Sequence, residues 1–211
     1  MRALTFSERP RGVLALGAHP DDVEIGCGGM LLRLAQRWPG LPVTVVVLTG
    51  TPLRHEEART AAQLFLPGCE VTLRAHSLPD GRLPSVWGDV KQHLEDLAAD
   101  VDVVLAPRTD DAHQDHRTVA EIAPTVWRDH LVLGYEIPKY DGDMGRPAVY
   151  VPLDEETVRE KVRLLAKAYP SQAGRDWWDE ESFLGLARLR GMECKARYAE
   201  AFAVTKATLA W

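Results

Sequence analysis

Short apolar runs alternate with amphipathic stretches along the first two-thirds of the chain. Five runs are almost continuously apolar, which is typical of strands buried on both faces; they are residues 12–18, 43–48, 70–74, 101–105 and 131–135. The stretches between several of these runs place apolar residues at helical spacing. Strands that alternate with helices predict βαβ units, and therefore a mostly parallel, Rossmann-like α/β sheet flanked by helices.

Three of the predicted helices each have an apolar face. These faces are Met30, Leu31, Leu34 and Trp38; Ala58, Ala61, Ala62 and Phe65; and Val90, Leu94, Leu97 and Ala98. Proline–glycine pairs at 39–40 and 67–68 fall where the first two helices should end. The breakers and the periodicity therefore predict the same division of the chain.

The last third of the chain continues with fewer strands. Residues 139–147 have the composition of a surface loop, and a short strand is predicted at 148–151. A helix should begin after Asp154, because Asp is a favoured N-cap residue. A final helix is predicted from about residue 180 to about residue 198.

Composition limits the class of protein. The chain has 211 residues, of which 45% are hydrophobic and 27% charged, so one compact domain over residues 1–211 is expected. Its net charge of −6, without any basic run, disfavours nucleic acid or an anionic membrane surface as a partner. Three separated cysteines and the lack of a signal peptide or a long apolar span predict a cytoplasmic protein.

A histidine and two carboxylates follow the first predicted strand. His19, Asp21 and Asp22 should lie at the strand's carboxyl end, where open α/β sheets bind ligands. Adjacent buried aspartates need a cation or several hydrogen-bond donors, and a divalent metal ion satisfies both needs. The alternative is that one aspartate only caps the next helix while His19 is solvated.

A second cluster follows the fourth predicted strand. His113 and His116 are three residues apart, so they share one side of a helical turn, and Asp115 lies between them. In a doubly wound sheet the first and fourth strands are neighbours, which brings the two clusters together. Three nitrogen and oxygen ligands with one open position suit Zn²⁺ or Fe²⁺, so the residues predict a metal-dependent hydrolase.

The two clusters resemble the signature motifs of the PIG-L/LmbE-like deacetylase family. The matching segments are residues 18–29, which contain His-Pro-Asp-Asp, and residues 113–116, His-Gln-Asp-His. Arg54 to Arg59 resembles the family's helix start with Arg and Glu, and residues 169–172 resemble its Tyr-x-Ser-Gln segment. The resemblance implies a Rossmann-like fold and zinc-dependent removal of an N-acetyl group.

The resemblance also implies a role for each residue. His19, Asp22 and His116 would hold the zinc ion, and Asp21 would be the general base that takes a proton from water. His113 would polarise or protonate at the tetrahedral intermediate, with Asp115 orienting it. Spacing alone does not decide which of the two adjacent aspartates is the ligand.

Two further residues are candidates for substrate contact. Arg54 could clamp a hydroxyl or a phosphate, or be an ordinary surface arginine; Glu136 follows the fifth predicted strand and could contact substrate or satisfy backbone donors. The predicted reaction is deacetylation of an N-acetylated amino sugar or conjugate, giving acetate and a free amine. The alternatives are an amidase for a thiol conjugate or larger acyl group, and a binding module without turnover. The sequence is compatible with a monomer or a homo-oligomer.

Overall fold

The computed structural model describes residues 5–6, 8–97 and 100–208. Its strands are β1 (Val13–Gly17), β2 (Pro42–Thr49), β3 (Glu70–Leu78), β4 (Val103–Pro107), β5 (Leu131–Tyr135), β6 (Val149–Leu153) and β7 (Tyr198–Val204). Its helices are α1 (Asp22–Arg37), α2 (Pro52–Phe65), α3 (Trp87–Glu95), α4 (Gln114–Val126), α5 (Glu155–Ala168) and α6 (Glu180–Glu193), with short 3-10 turns at Leu83–Val86 and Pro170–Gln172.

The seven strands form one sheet in the order β3-β2-β1-β4-β5-β7-β6. The five strands from β3 to β5 are parallel, whereas β7 runs antiparallel to both of its neighbours. This confirms the predicted mostly parallel α/β sheet. Strand β1 pairs with β2 on one side and β4 on the other, so the chain reverses its direction of travel across the sheet at the β1–β4 junction.

Side chains of the central strands point alternately to two hydrophobic cores. On β1, Val13 and Ala15 face the core formed with α1, α2 and α5, while Leu14 and Leu16 face the core formed with α3 and α4. Burial on both faces explains why these strands are continuous apolar runs. The predicted helix faces lie in these cores; Ala98, assigned to the third face, is outside the described residues.

The prediction of one helix from about residue 180 to about residue 198 is wrong only at its end. Helix α6 ends at Glu193, and Lys195 takes a left-handed conformation with φ 61°. The amide of Ala196 then donates to the carbonyl of Gly191 at 2.8 Å, closing the helix end before β7 begins. Strand β7 lies between β5 and β6 and was not predicted.

Helix α1 is interrupted at Cys27, whose φ of −143° and ψ of 20° are not helical. The Glu200 carboxylate on β7 accepts the amides of Gly29 and Met30, both at 2.7 Å, and so caps the second part of the helix. Lys161 on α5 donates to the carbonyl of Ile25 and to Glu200, also at 2.7 Å. This buried pair replaces hydrogen bonds that the interruption removes, and it holds the first turn of α1 in place.

Candidate active site

The two polar clusters meet at the β1–β4 junction, as the sequence predicted. His19 follows β1, and Asp22 is the first residue of α1. His116 lies in the first turn of α4, which begins shortly after β4. Since β1 and β4 are parallel neighbours, their carboxyl ends bring these three side chains to the same edge of the sheet.

The three predicted ligands form a compact triangle. Nδ1 of His19 lies 3.2 Å from Nε2 of His116, and that Nε2 lies 3.3 Å from Oδ1 of Asp22. The other Asp22 oxygen lies 3.5 Å from Nδ1 of His19. Ligand atoms about 2.0–2.1 Å from a tetrahedral metal ion lie about 3.3–3.4 Å apart, which is close to each of these three distances, although the two that involve Asp22 are to different oxygens of its carboxylate.

The chemistry of this donor set also fits a divalent ion. Burial would raise the pKa of Asp22, but the facing His116 and His19 lower it well below its ordinary value. Burial disfavours the cation of His116, yet Asp22 and Asp111 raise its pKa to about 9. The ionised carboxylates that stabilise a proton on His116 would stabilise a divalent cation at the same place. A second triple of nitrogens, from His19, His113 and His116, lies within 4.8 Å.

Asp21 lies beside this triangle in a strained conformation. Its φ of 107° is in the left-handed region that non-glycine residues rarely adopt. Oδ2 of Asp21 accepts a hydrogen bond from Nη2 of Arg54 at 2.7 Å. Burial is the largest influence on its carboxyl and raises the pKa to about 7, while Arg54 opposes that shift. Such a pKa suits a group that exchanges protons near neutral pH.

Arg54 faces the cluster rather than open solvent. Besides Asp21, its guanidinium donates to Oε2 of Glu57 at 2.9 Å, to Oγ of Ser171 at 3.2 Å and to the carbonyl of Pro20. Ser171 in turn donates to Glu57 at 2.7 Å. Arg54 and Ser171 belong to the two further segments that resemble the family, residues 54–59 and 169–172. These segments therefore meet here, and Arg54 is held against Asp21.

His113 begins helix α4 as its N-cap residue. Its Nδ1 accepts the backbone N–H of Asp115 at 3.3 Å, so the ring proton belongs on Nε2. Its ring centroid lies 4.8 Å from that of His19 and 4.6 Å from that of His116. Partial burial and these two histidines lower the pKa of His113, which favours the neutral ring.

The structure places the Asp115 carboxylate on His19, whereas the sequence analysis expected it to orient His113. Oδ2 of Asp115 lies 3.3 Å from Nε2 of His19. The amides of Gly81 and Leu83 donate to the same carboxylate at 2.7 and 2.9 Å. An exposed carboxylate, Asp80, also lies 3.2 Å from Nε2 of His19. Asp115 therefore fixes the ring nitrogen of His19 that faces away from the triangle.

Sequence reasoning missed the role of Asp111. Its Oδ1 lies 3.1 Å from Nδ1 of His116 and 2.9 Å from Nζ of Lys139, and it accepts the amide of His113 at 2.8 Å. The adjacent acidic residues at 110 and 111 were a signal, but nothing in the sequence identified their partner. Each imidazole of the triangle thus has a carboxylate behind it.

Glu136 lies in a buried ion pair. Its two oxygens accept Nη2 and Nε of Arg190 at 2.6 and 2.8 Å, and only 5% of the residue is exposed. This bidentate contact occupies the carboxylate that was a candidate for substrate binding. Within the described part of the chain, no helix has both the length and the apolar character needed to cross a membrane.

The fold and the cluster at its switch point define an α/β protein with a His/Asp cluster at the carboxyl edge of its sheet. The chain belongs to the PIG-L family: the family described as "PIG-L: GlcNAc-PI de-N-acetylase" matches residues 14–127, more than half of its length. The predicted resemblance is confirmed.

Three known proteins show the extent of the likeness. "Uncharacterized deacetylase YaiS" of Escherichia coli (strain K12) is 34% identical over 179 residues, covering 78% of this chain and 94% of the relative. The N,N'-diacetylchitobiose deacetylase of Pyrococcus horikoshii is 21% identical with a TM-score of 0.71, covering 93% and 84% of the two chains. GalB, the 4-carboxy-2-hydroxymuconate hydratase of Pseudomonas putida KT2440, also has a TM-score of 0.71 at 16% identity, covering 95% and 98%. The two structures share the fold, and their names show that this fold carries more than one reaction.

Proposed function

We propose that this protein is a divalent-metal-dependent N-deacetylase that acts on an N-acetylated amino sugar or a small conjugate of one. The observation that carries the proposal is the triangle of His19, Asp22 and His116 with Asp21 beside it. Membership of the PIG-L family supports the same reaction. Zinc is the proposed ion, because two imidazole nitrogens and a carboxylate are ligands that suit it.

The contacts around the cluster support a role for each residue. His19, Asp22 and His116 would hold the ion, which supplies a Lewis acid for the amide carbonyl and the attacking water. Asp21 accepts a proton from that water, and Arg54 keeps its carboxylate in position. The same carboxyl group can then return the proton to the leaving amine.

The contacts of His113 support a role as hydrogen-bond donor to the developing oxyanion. Its Nδ1 is engaged by the amide of Asp115, so the free Nε2–H is the atom available to substrate. Because the pKa of His113 is lowered, it acts as a neutral donor at pH 7 rather than as a cation. A donor aimed at the site of charge development stabilises the transition state.

The test separates chemistry from ion binding. Asp21→Asn should keep the metal content of the wild type but lose about 10²–10⁴-fold in turnover, because the base is removed. His116→Ala should lose metal as well, whereas His93→Ala, outside the site, should change neither. Metal content is measured by elemental analysis. Turnover is measured as amine released from N-acetylglucosamine, N,N'-diacetylchitobiose and substrates with longer acyl groups.

Two results would count against the proposal. If Asp21→Asn turns over at nearly the wild-type rate, Asp21 is not the base. If the wild type carries metal and releases amine only from substrates with longer acyl groups, the protein is an amidase of another specificity.

A further inference from the structure

Lys139 is part of the loop over residues 138–147, and it connects this loop to Asp111, the carboxylate behind His116. Its Nζ lies 2.9 Å from Oδ1 of Asp111 and 2.9 Å from Oδ2 of Asp143. The Lys139 side chain is only 10% exposed and that of Asp111 is fully buried. A lysine so far from solvent, between two carboxylates, is a fixed part of the structure rather than a surface charge.

The other end of this connection is His116. A metal ion needs the lone pair of its Nε2, so the ring proton must lie on Nδ1, which faces Asp111 at 3.1 Å. That distance is short enough for a hydrogen bond, but the atoms are not aligned. Nδ1 of His116 and Oδ2 of Asp111 are both buried without a hydrogen-bond partner. A small rotation of the ring or the carboxylate would complete the bond.

The loop is also held by the segment that follows β4 and by helix α6. Oδ2 of Asp143 accepts the amide of Ala112 at 2.6 Å, and the carbonyl of Gly145 accepts Nη2 of Arg190 at 3.1 Å. The loop presents Tyr140, 73% exposed, and Met144, 45% exposed, to solvent. Its inner side therefore contacts the segment that carries the second motif, and its outer side is free.

We propose that Asp111 is the positioning residue for His116 and that Lys139 couples this pair to the loop, so that a bound divalent ion and an ordered loop 138–147 stabilise each other. The inference rests on the metal site in the proposed function. An ion at Nε2 fixes the His116 ring and completes its contact with Asp111, which strengthens the hold of Asp111 and Lys139 on the loop. By thermodynamic linkage, loosening the loop must weaken ion binding equally.

Limited proteolysis of the loop measures this coupling without any substrate. Tyr140 is 73% exposed in the loop and offers a chymotrypsin cleavage site, and an ordered loop is cleaved more slowly than a loosened one. Cleavage after Tyr140, identified by mass spectrometry, should be at least about five-fold slower in Zn²⁺-loaded full-length protein than after chelation, the lower end of usual coupling strengths. Lys139→Met should remove this dependence on Zn²⁺, and Lys139→Arg should restore it. Lys167→Met, an exposed lysine on α5, is the matched control and should behave as the wild type. Lys139→Gln replaces Lys139→Met if the latter does not fold.

A second arm tests Asp111 by ion binding. Asp111→Asn should weaken Zn²⁺ binding about 10–100-fold, the usual effect of removing a partner behind a histidine ligand, and should change the visible absorption of bound Co²⁺. Lys139→Met should leave that spectrum close to the wild type but weaken Zn²⁺ binding by the same factor that its loop loses in protection.

Three results would overturn the inference: cleavage of the wild-type loop at a rate that does not depend on Zn²⁺, Zn²⁺-dependent protection that survives in Lys139→Met, or Zn²⁺ affinity unchanged in Asp111→Asn. Failure of the proposed function is distinguishable. A protein that binds Zn²⁺ and protects the loop but releases no amine refutes the deacetylase proposal alone, whereas a protein that binds no divalent ion refutes both.

Discussion

Replacing Lys161 by Met should destabilise the protein more than any exposed lysine substitution. Lys161 and Glu200 form a buried pair, with side chains 8% and 4% exposed, at the interruption of helix α1. Met keeps most of the apolar stem but removes Nζ, which donates to Glu200 and to the carbonyl of Ile25. The substitution therefore leaves a buried carboxylate without its counter-charge and a backbone carbonyl without its donor.

The size of the effect follows from these contacts. Removing one partner of a buried ion pair costs about 3–5 kcal/mol, because the remaining charge stays desolvated. For a chain of this length, each kcal/mol shifts Tm by about 2–4 °C, so Lys161→Met should lower Tm by roughly 6–20 °C. The matched control, Lys167→Met, changes an exposed lysine on the same helix and should stay within about 0.5 kcal/mol of the wild type.

The assay is urea unfolding followed by circular dichroism, at one fixed Zn²⁺ concentration because a bound ion adds to apparent stability. The free energy of unfolding is compared among the wild type, Lys161→Met and Lys167→Met. If the two variants differ by less than about 1 kcal/mol, the buried pair does not compensate for the interruption of helix α1.

Two further predictions concern packing and pH. Gly26→Ala should cost about 3 kcal/mol or more, or prevent folding, because the new Cβ would lie 2.2 Å from a ring carbon of the fully buried Tyr135. Gly88→Ala, where no atom lies within 4 Å, should instead stabilise its helix by about 1 kcal/mol; equal effects in the two thermal melts would contradict this reasoning. Burial and the neighbouring His93 lower the pKa of His76 in the folded protein. As the pH falls below about 6.5, the ordinary pKa of histidine, the unfolded chain binds a proton at His76 before the folded protein does. The free energy of unfolding therefore decreases as the pH falls. In urea unfolding between pH 5.5 and 8, His76→Gln should show a shallower loss of stability than the wild type, and an unchanged slope would rule out His76 as its source.

The central parallel strands β1, β2 and β4 could be predicted because they are buried on both faces, whereas β3 at the edge of the sheet has no buried residue. A continuous apolar run predicts such a strand directly. Strand β5 was predicted with its observed ends, Leu131–Tyr135. The antiparallel β7 gave no such signal. Its three alanines favour a helix, and the end of α6 is made by Lys195 at φ 61° instead of by the usual glycine.

The residues of the site could be predicted, but their partners could not. Motif spacing placed His19, Asp22 and His116 at one sheet edge, because strand order follows from the alternation of strands and helices. Which carboxylate stands behind which imidazole depends on loop geometry. Asp115 turns to His19 because the amides of Gly81 and Leu83, more than thirty residues earlier, receive its carboxylate. Local spacing carries no information about that contact.

The contact between Glu200 and the interruption of α1 also bears on the order in which the protein is completed during synthesis. Glu200 accepts the amide of Gly29 across 171 residues of sequence. A ribosome adds about 5–20 residues per second, so the first helix waits many seconds for its cap. Until β7 emerges, the amides of Gly29 and Met30 lack this partner, and the gap between β5 and β6 is open. The turn that carries Asp22 is therefore secured only when the last strand enters the sheet, and the slow formation of such distant contacts should set the rate of folding.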